Sequence, residues 1–384
     1  MRGHHLLDKM ELAAPAYVEA ADRQPQQKHT WRKWAVMAAC IGLLFAGPLT
    51  LGRPEEPTPM DLEIISIPVY RYEGMGFEGY LCYDIAELAN GNPWSEDMEL
   101  STLPVYRNGA YDPSGAGIPT GSSVEEMQEQ LTFAASSLGL EVLETGVLTA
   151  GDPEAAPTEL RAVTDNGTLH IQASGAIVYF LPDGGQTLPD GYSFTRSDTT
   201  KAQAEETLSY LANAYQSILC FEEPKAVSSG SYTFTGVFTR SYYLYDAAGD
   251  DLSDILNYHF RRARFGANES GNLSSFRVDD GLRLAEKLGD YPVISVAEAT
   301  KLLARGHYQT SVPAAFPGRQ YIGKVELAYR TGSLEETLLP YYRFYVELPD
   351  EVSALGLKTY GIYYVPAIAE EYIAAMPTYD GSFN

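Results

Sequence analysis

Metal binding and catalysis need particular side chains at particular spacings, and the six histidines (His4, His5, His29, His170, His259 and His307) are the first to weigh. Three of them, His170, His259 and His307, lie beyond residue 53 and far apart, and neither His-Glu-x-x-His nor Cys-x-x-Cys occurs. His170 sits in strand-like text and reads as a surface histidine; His4 and His5 read as solvated. Cys82 and Cys220 have apolar neighbours and no adjacent basic group to lower a thiol pKa, so they read as buried, unreactive thiols. A bridge between them stays open, because spacing says nothing of proximity. Gly115, Gly117 and Gly121 precede a helix start, as a phosphate loop would. Their spacing is not Gly-x-Gly-x-x-Gly, however, no Lys follows and Pro119 interrupts, so the segment reads as a turn. Asp246, Asp250, Asp251 and Asp254 offer oxygen ligands without the central Gly and final Glu of a calcium loop, and read as a solvated loop. The pairs Glu222-Glu223 and Asp279-Asp280 have the carboxylates of a glycoside hydrolase, but in so acidic a chain such pairs arise by chance. The expectation is no catalytic residue, no metal ligand and no cofactor, in a chain that is not an enzyme.

A different kind of signal dominates the amino-terminal part. From Trp34 to Leu51 the chain reads WAVMAACIGLLFAGPLTL, 18 residues without a charge. As a helix this spans about 27 Å, enough for a hydrocarbon core. Trp34, Cys40, Phe45 and Leu51 mark the expected anchor. Lys28, Arg32 and Lys33 precede it and Glu55, Glu56 and Asp61 follow, which predicts a cytoplasmic amino terminus and an ectodomain outside the cell membrane. A cleaved signal peptide is the competing reading, against which stands the long segment before the apolar run. A lipoprotein would carry its Cys after that run, and a core helix would not show the charge asymmetry.

Charge follows the same division. Residues 1–53 hold seven basic and four acidic side chains, leaving 20 basic and 47 acidic beyond them. A part that negative repels phosphate backbones, so nucleic acid is excluded as its partner. In the tail, residues 1–33, Leu6, Leu7 and Met10 fall at helical spacing before Pro15 and could meet a cytoplasmic protein. Residues 52–60, rich in Pro, predict an extended linker.

Elements that would position an ectodomain site are legible from caps and periodicity. EIISIPVYR (Glu63–Arg71) and LPVYRNG (Leu103–Gly109) read as strands sharing Pro-Val-Tyr-Arg. Ser123 and Glu126 form a capping box for a helix to Leu138, with Val124, Met127, Leu131 and Leu138 on its apolar face and Gly139 as its stop. TELRAVT, Asp165-Asn166-Gly167 and TLHIQA predict a hairpin, Asn166 and Gly167 both tolerating positive φ, and AIVYFL continues the meander. Thr200 and Gln203 cap a second helix carrying Leu208, Leu211, Tyr215 and Ile218 inward. Ser231–Tyr245 alternates over fifteen residues, predicting one strand with a buried and a wet face. A third capping box, Ser295 and Glu298, opens a helix ended by Gly306, before the strands Val325–Arg330, Tyr341–Leu348 and Tyr360–Ile368. The 28 tyrosines suit such half-buried strands. Together these predict an α+β ectodomain, helices on antiparallel meanders, in two modules at 61–195 and 196–384, preceded by one transmembrane helix.

The order PVIS-x-x-EA-x-x-x-L-x-x-G (Pro292–Gly306), V-x-LAY, LPYYRFYVEL and YYVPAI resembles extracytoplasmic regulators of the YycH/YycI type and PepSY-like modules over residues 290–370. That resemblance implies a capped helix on an antiparallel sheet and a membrane-tethered, non-catalytic module that binds or regulates something outside the cytoplasm. The tail and anchor are similar to membrane-tethered anti-sigma-like proteins of Gram-positive bacteria. The expectation is a regulatory or binding protein of the bacterial envelope, held in lipid by one helix and meeting a protein partner such as a sensor kinase or a sigma factor. The alternatives are an anti-sigma-like regulator acting through the tail, and an envelope hydrolase.

Overall fold

Helix starts are set by side chains that satisfy orphan backbone N–H groups, and strands by period-2 burial. The computed structural model describes residues 62–68, 79–83, 90–151, 155–193, 199–232, 237–353 and 356–383. The tail with Leu6, Leu7 and Met10, the charges Lys28, Arg32 and Lys33, the stretch Trp34–Leu51 with Cys40 and Phe45, and the 52–60 linker lie outside them. Among the described residues no helix is long and apolar enough to cross a membrane.

In chain order, β1 (Leu81–Tyr83) and β2 (Thr102–Arg107) precede α1 (Val124–Leu138). A meander follows, β3 (Val142–Thr149), β4 (Pro157–Thr164), β5 (Gly167–Gln172) and β6 (Ile177–Phe180). Helices α2 (Lys201–Ala214) and α3 (Gln216–Leu219) lead into β7 (Pro224–Tyr232) and β8 (Phe238–Asp246). Then come α4 (Asp251–Phe260), β9 (Arg261–Ala267), β10 (Leu273–Asp280), β11 (Glu286–Pro292) and α5 (Val296–Ala304). The last strands are β12 (Gln309–Thr310), β13 (Ile322–Tyr329), β14 (Thr337–Leu338), β15 (Pro340–Val352) and β16 (Lys358–Pro366).

Among the described residues thirteen strands make one sheet, in the order β13-β15-β16-β1-β7-β8-β9-β10-β6-β5-β4-β3 with β12 on β16, and β11-β2-β14 make another. Their ladders are antiparallel, and strand outweighs helix, so the fold is mixed α and β with antiparallel sheets. β1 joins the two wings of the large sheet: among the described residues three pairs tie it to β16, and Cys82 opposite Tyr232 ties it to β7.

All three capping boxes form. Ser123 caps α1 with Glu126, Thr200 caps α2 with Gln203, and Ser295 caps α5 with Glu298. Gly139 ends α1 at φ 68°, the left-handed stop its lack of a Cβ permits. Met127 and Leu131 of α1, with Leu208 and Leu211 of α2, are buried on one face of the β3–β10 wing. Removing the leucine side chain at 131 would cost about 2–5 kcal/mol.

Several expectations are corrected. Ser231–Tyr245 is not one strand: β7 and β8 pair antiparallel with Tyr232 opposite Phe238, so the run belongs to a hairpin. Nor does its later part have a wet face. Tyr242 and Leu244 join the helix-covered core, while Tyr243 and Tyr245 are buried on the opposite side with Tyr258 of α4. β15 is likewise covered twice, Tyr342, Phe344 and Val346 facing one core and Tyr341 and Tyr345 another. At the β4–β5 turn only Gly167 takes positive φ (106°), Asn166 having none. A Cβ on Gly167 would stand 2.3 Å from the Phe180 carbonyl oxygen, so the close approach of β6 also requires glycine. Of the Glu63–Arg71 segment, Ile65 makes a single bridge to Ile373, and Val69–Arg71 lie outside the described residues. Its partner in sequence, Leu103–Gly109, supplies β2.

Candidate functional site: an arginine and tyrosine cleft

On β9, period-2 geometry sends Ala263 and Phe265 into the helix-covered core and leaves Arg262 and Arg264 on the other face. β10 repeats this, with Phe276 in the core and Arg277 and Asp279 across the sheet. Register then sets Arg264 opposite Arg277 and Arg262 opposite Asp279. On the other side of β9, Tyr243 faces Arg264 and Tyr245 faces Arg262.

Two adjoining cavities open over this face, of about 310 and 480 Å³. They share His259, Arg262, Arg264 and Thr331 in their walls; Arg277 lines the first, and Arg330 and Arg343 the second. Five guanidinium groups therefore converge on one cleft, in a chain whose net charge is −24.

Four of the five are in contact with a carboxylate of the chain. Asp279 takes both Arg277 at 2.6 Å and Arg264 at 3.1 Å. Arg330 pairs with the buried Glu335 at 2.9 Å, and Arg343 with the buried Glu326 at 2.6 Å. Lys324 also contacts Glu326, and Asn90 and Tyr345 donate to the same carboxylate oxygen at 3.0 and 3.1 Å. Burial pushes the Glu326 carboxyl upward, but Arg343 and Lys324 outweigh it and hold the group at about 2.

Arg262 differs. Its guanidinium lies 5.3 Å from the ring centroids of both Tyr243 and Tyr258, and Nη2 donates to the His259 carbonyl oxygen at 3.3 Å. No carboxylate among the described residues is in ion-pair contact with it, and none of its nitrogens is sealed away without a partner. Burial pushes this guanidinium below its usual pKa. The two tyrosine hydroxyls are 2.9 Å apart, and both lie within 3.1 Å of the Asn90 carbonyl oxygen, which fixes the rings. His259 is buried, its Nε2 3.3 Å from the Leu327 carbonyl oxygen, and burial foremost drives its pKa well down, so the imidazole stays neutral. Such a wall can hold an anion and stack a flat group.

A third cavity, about 630 Å³, lies beside Trp94, Leu103, Ile294 and Tyr342 and has no cation in its lining.

The residues weighed from the sequence lie elsewhere or serve the fold. Asp250 caps α4 by accepting from Ser253 N, and Asp246 accepts from the backbone N–H groups of Glu222 and Glu223 while pairing with Arg261. The expected solvated loop is thus a helix start and a buried latch, Asp246 being 2% exposed. Among the described residues no three His, Cys, Asp or Glu side chains are grouped to hold a metal ion. In the glycine-rich segment Asp112 accepts from Ser114 N, Ser114 Oγ and Ile118 N, so a carboxylate of the chain itself organises the turn. Both cysteines are free; Cys82 is buried as expected, whereas Cys220 is exposed, held at φ 51° after α3. His170 is no open surface residue: half-buried beside Phe180, it sits 3.0 Å from Glu159, and burial, its largest influence, lowers its pKa.

None of the cleft's arginines was singled out from the sequence. The readable trace is RRARF and FRVDD, where charged and apolar residues alternate as on strands buried on one face only. Compared with protein-family models, with curated proteins and with solved structures, this chain matches none.

Proposed function

We propose that this chain is a membrane-anchored, extracytoplasmic binding or regulatory protein without catalysis of its own, its ligand held in the arginine and tyrosine cleft. One observation carries the reading: a guanidinium group without a carboxylate partner is kept open in the wall of a cavity large enough for a small ligand. The lining groups hold and orient, and the imidazole among them is fixed neutral against a backbone carbonyl. The uncharged run Trp34–Leu51 supports the anchor and the cationic flank of Lys28, Arg32 and Lys33 supports its orientation. Protease added to intact cells is expected to degrade the part beyond residue 60. Recovery of the whole chain in the soluble fraction after lysis without detergent would overturn the anchored reading.

A further inference from the structure

We propose that Arg262 anchors a small organic acid in the joined cleft through that acid's carboxylate or phosphate group, an assignment that rests on the cleft being the ligand site. The rings of Tyr243 and Tyr258 each lie 5.3 Å from its guanidinium with their centroids 6.0 Å apart, so both stand to one side of it. The side away from the rings is left for a partner, and the N–H fork of a guanidinium matches two oxygens of a planar or tetrahedral anion. Of the five N–H donors an arginine carries, one meets the His259 carbonyl oxygen. The other cleft arginines are in contact with Asp279, Glu335 or Glu326, and Arg262 is the one of the five with no carboxylate contact among the described residues. Ligand size follows from two constraints. Cavities of about 310 and 480 Å³ suit a molecule of metabolite size. Outside the cleft, a chain of net charge −24 repels any long polyanion that must lie across its surface. The occupant is thus a compact acid of one or two charges, its flat part against the tyrosine rings.

Calorimetric titration of the detergent-solubilised full chain with benzoate, inorganic phosphate and long-chain polyphosphate tests this. Saturable binding of benzoate or phosphate is expected, weakened about tenfold or more in Arg262→Gln and unchanged in Arg305→Gln, whose arginine is exposed beyond α5. Should Arg262→Gln fail to fold, Arg262→Lys keeps the charge but loses the fork, and benzoate is expected to suffer more than phosphate. Absence of binding by both small anions, equal affinity in the Arg262 variants, or tighter binding of polyphosphate would each overturn the assignment. An anchored chain with a flat titration sinks the anion site alone, while a soluble chain that binds benzoate through Arg262 sinks the anchor alone.

Discussion

Two arginines of one cleft, Arg343 on β15 and Arg262 on β9, are stabilised in opposite ways. Arg343 meets a carboxylate that is itself buried, and Glu326 in turn gathers Lys324, Asn90 and Tyr345. Arg262 meets two aromatic faces and one carbonyl oxygen. The first arrangement is closed: both cations meet a buried carboxylate of the chain, and removing that member leaves the rest stranded in low dielectric. The second is open, because tyrosine rings steady a cation without cancelling it. Charge at the β13–β15 end therefore belongs to the fold, and charge on β9 is left over for something else.

Glu326→Gln gives the largest test of that contrast. It strands Arg343 and Lys324, and a loss of about 3–5 kcal/mol is expected in urea unfolding; a loss below about 1 kcal/mol would erase the distinction. Acid makes the same point in the wild type. Because the folded carboxyl sits near 2 and the unfolded one near 4.5, the contribution of Glu326 is fully present above pH 4.5 and fades as pH falls through 2. On the order of 3 kcal/mol of pH-dependent stability should vanish in Glu326→Gln across that window, read by melting at a series of pH values. Tyr258→Phe keeps the ring over Arg262 but drops the hydroxyl shared with Tyr243 and Asn90, a cost of about 1 kcal/mol. Arg262→Gln is expected to do least to stability, within about 1 kcal/mol, since lost ring contacts are offset by the relief of burying an unanswered charge. If it unfolds the protein as Glu326→Gln does, Arg262 is structural.

Local chemistry made three of the helices legible, though not the one that Asp250 caps. Ser123, Thr200 and Ser295 each announce a start because the cap is written within four residues. The Ser231–Tyr245 run misled for a physical reason. Tyrosine is large enough to be buried on either face of a strand, so alternation with Thr and Ser carried no information about where β7 ended and β8 began, or about the second core beneath Tyr243 and Tyr245. The cleft was harder still. Arg262 and Arg343 are 81 positions apart in the numbering and meet only through the order β15-β16-β1-β7-β8-β9, which no local pattern encodes. Even the RRARF trace tells which face Arg262 takes, not that its facing Asp279 is consumed by Arg264 and Arg277.

The brevity of β1 has a mechanical meaning. A sheet under tension parts where the fewest hydrogen-bonded residues share the load, and among the described residues β1 offers three rungs to β16 and one to β7. Amide exchange at Leu81–Tyr83 should outpace that of β8 or β15, and a pull applied across the sheet should separate two otherwise intact wings before either unravels.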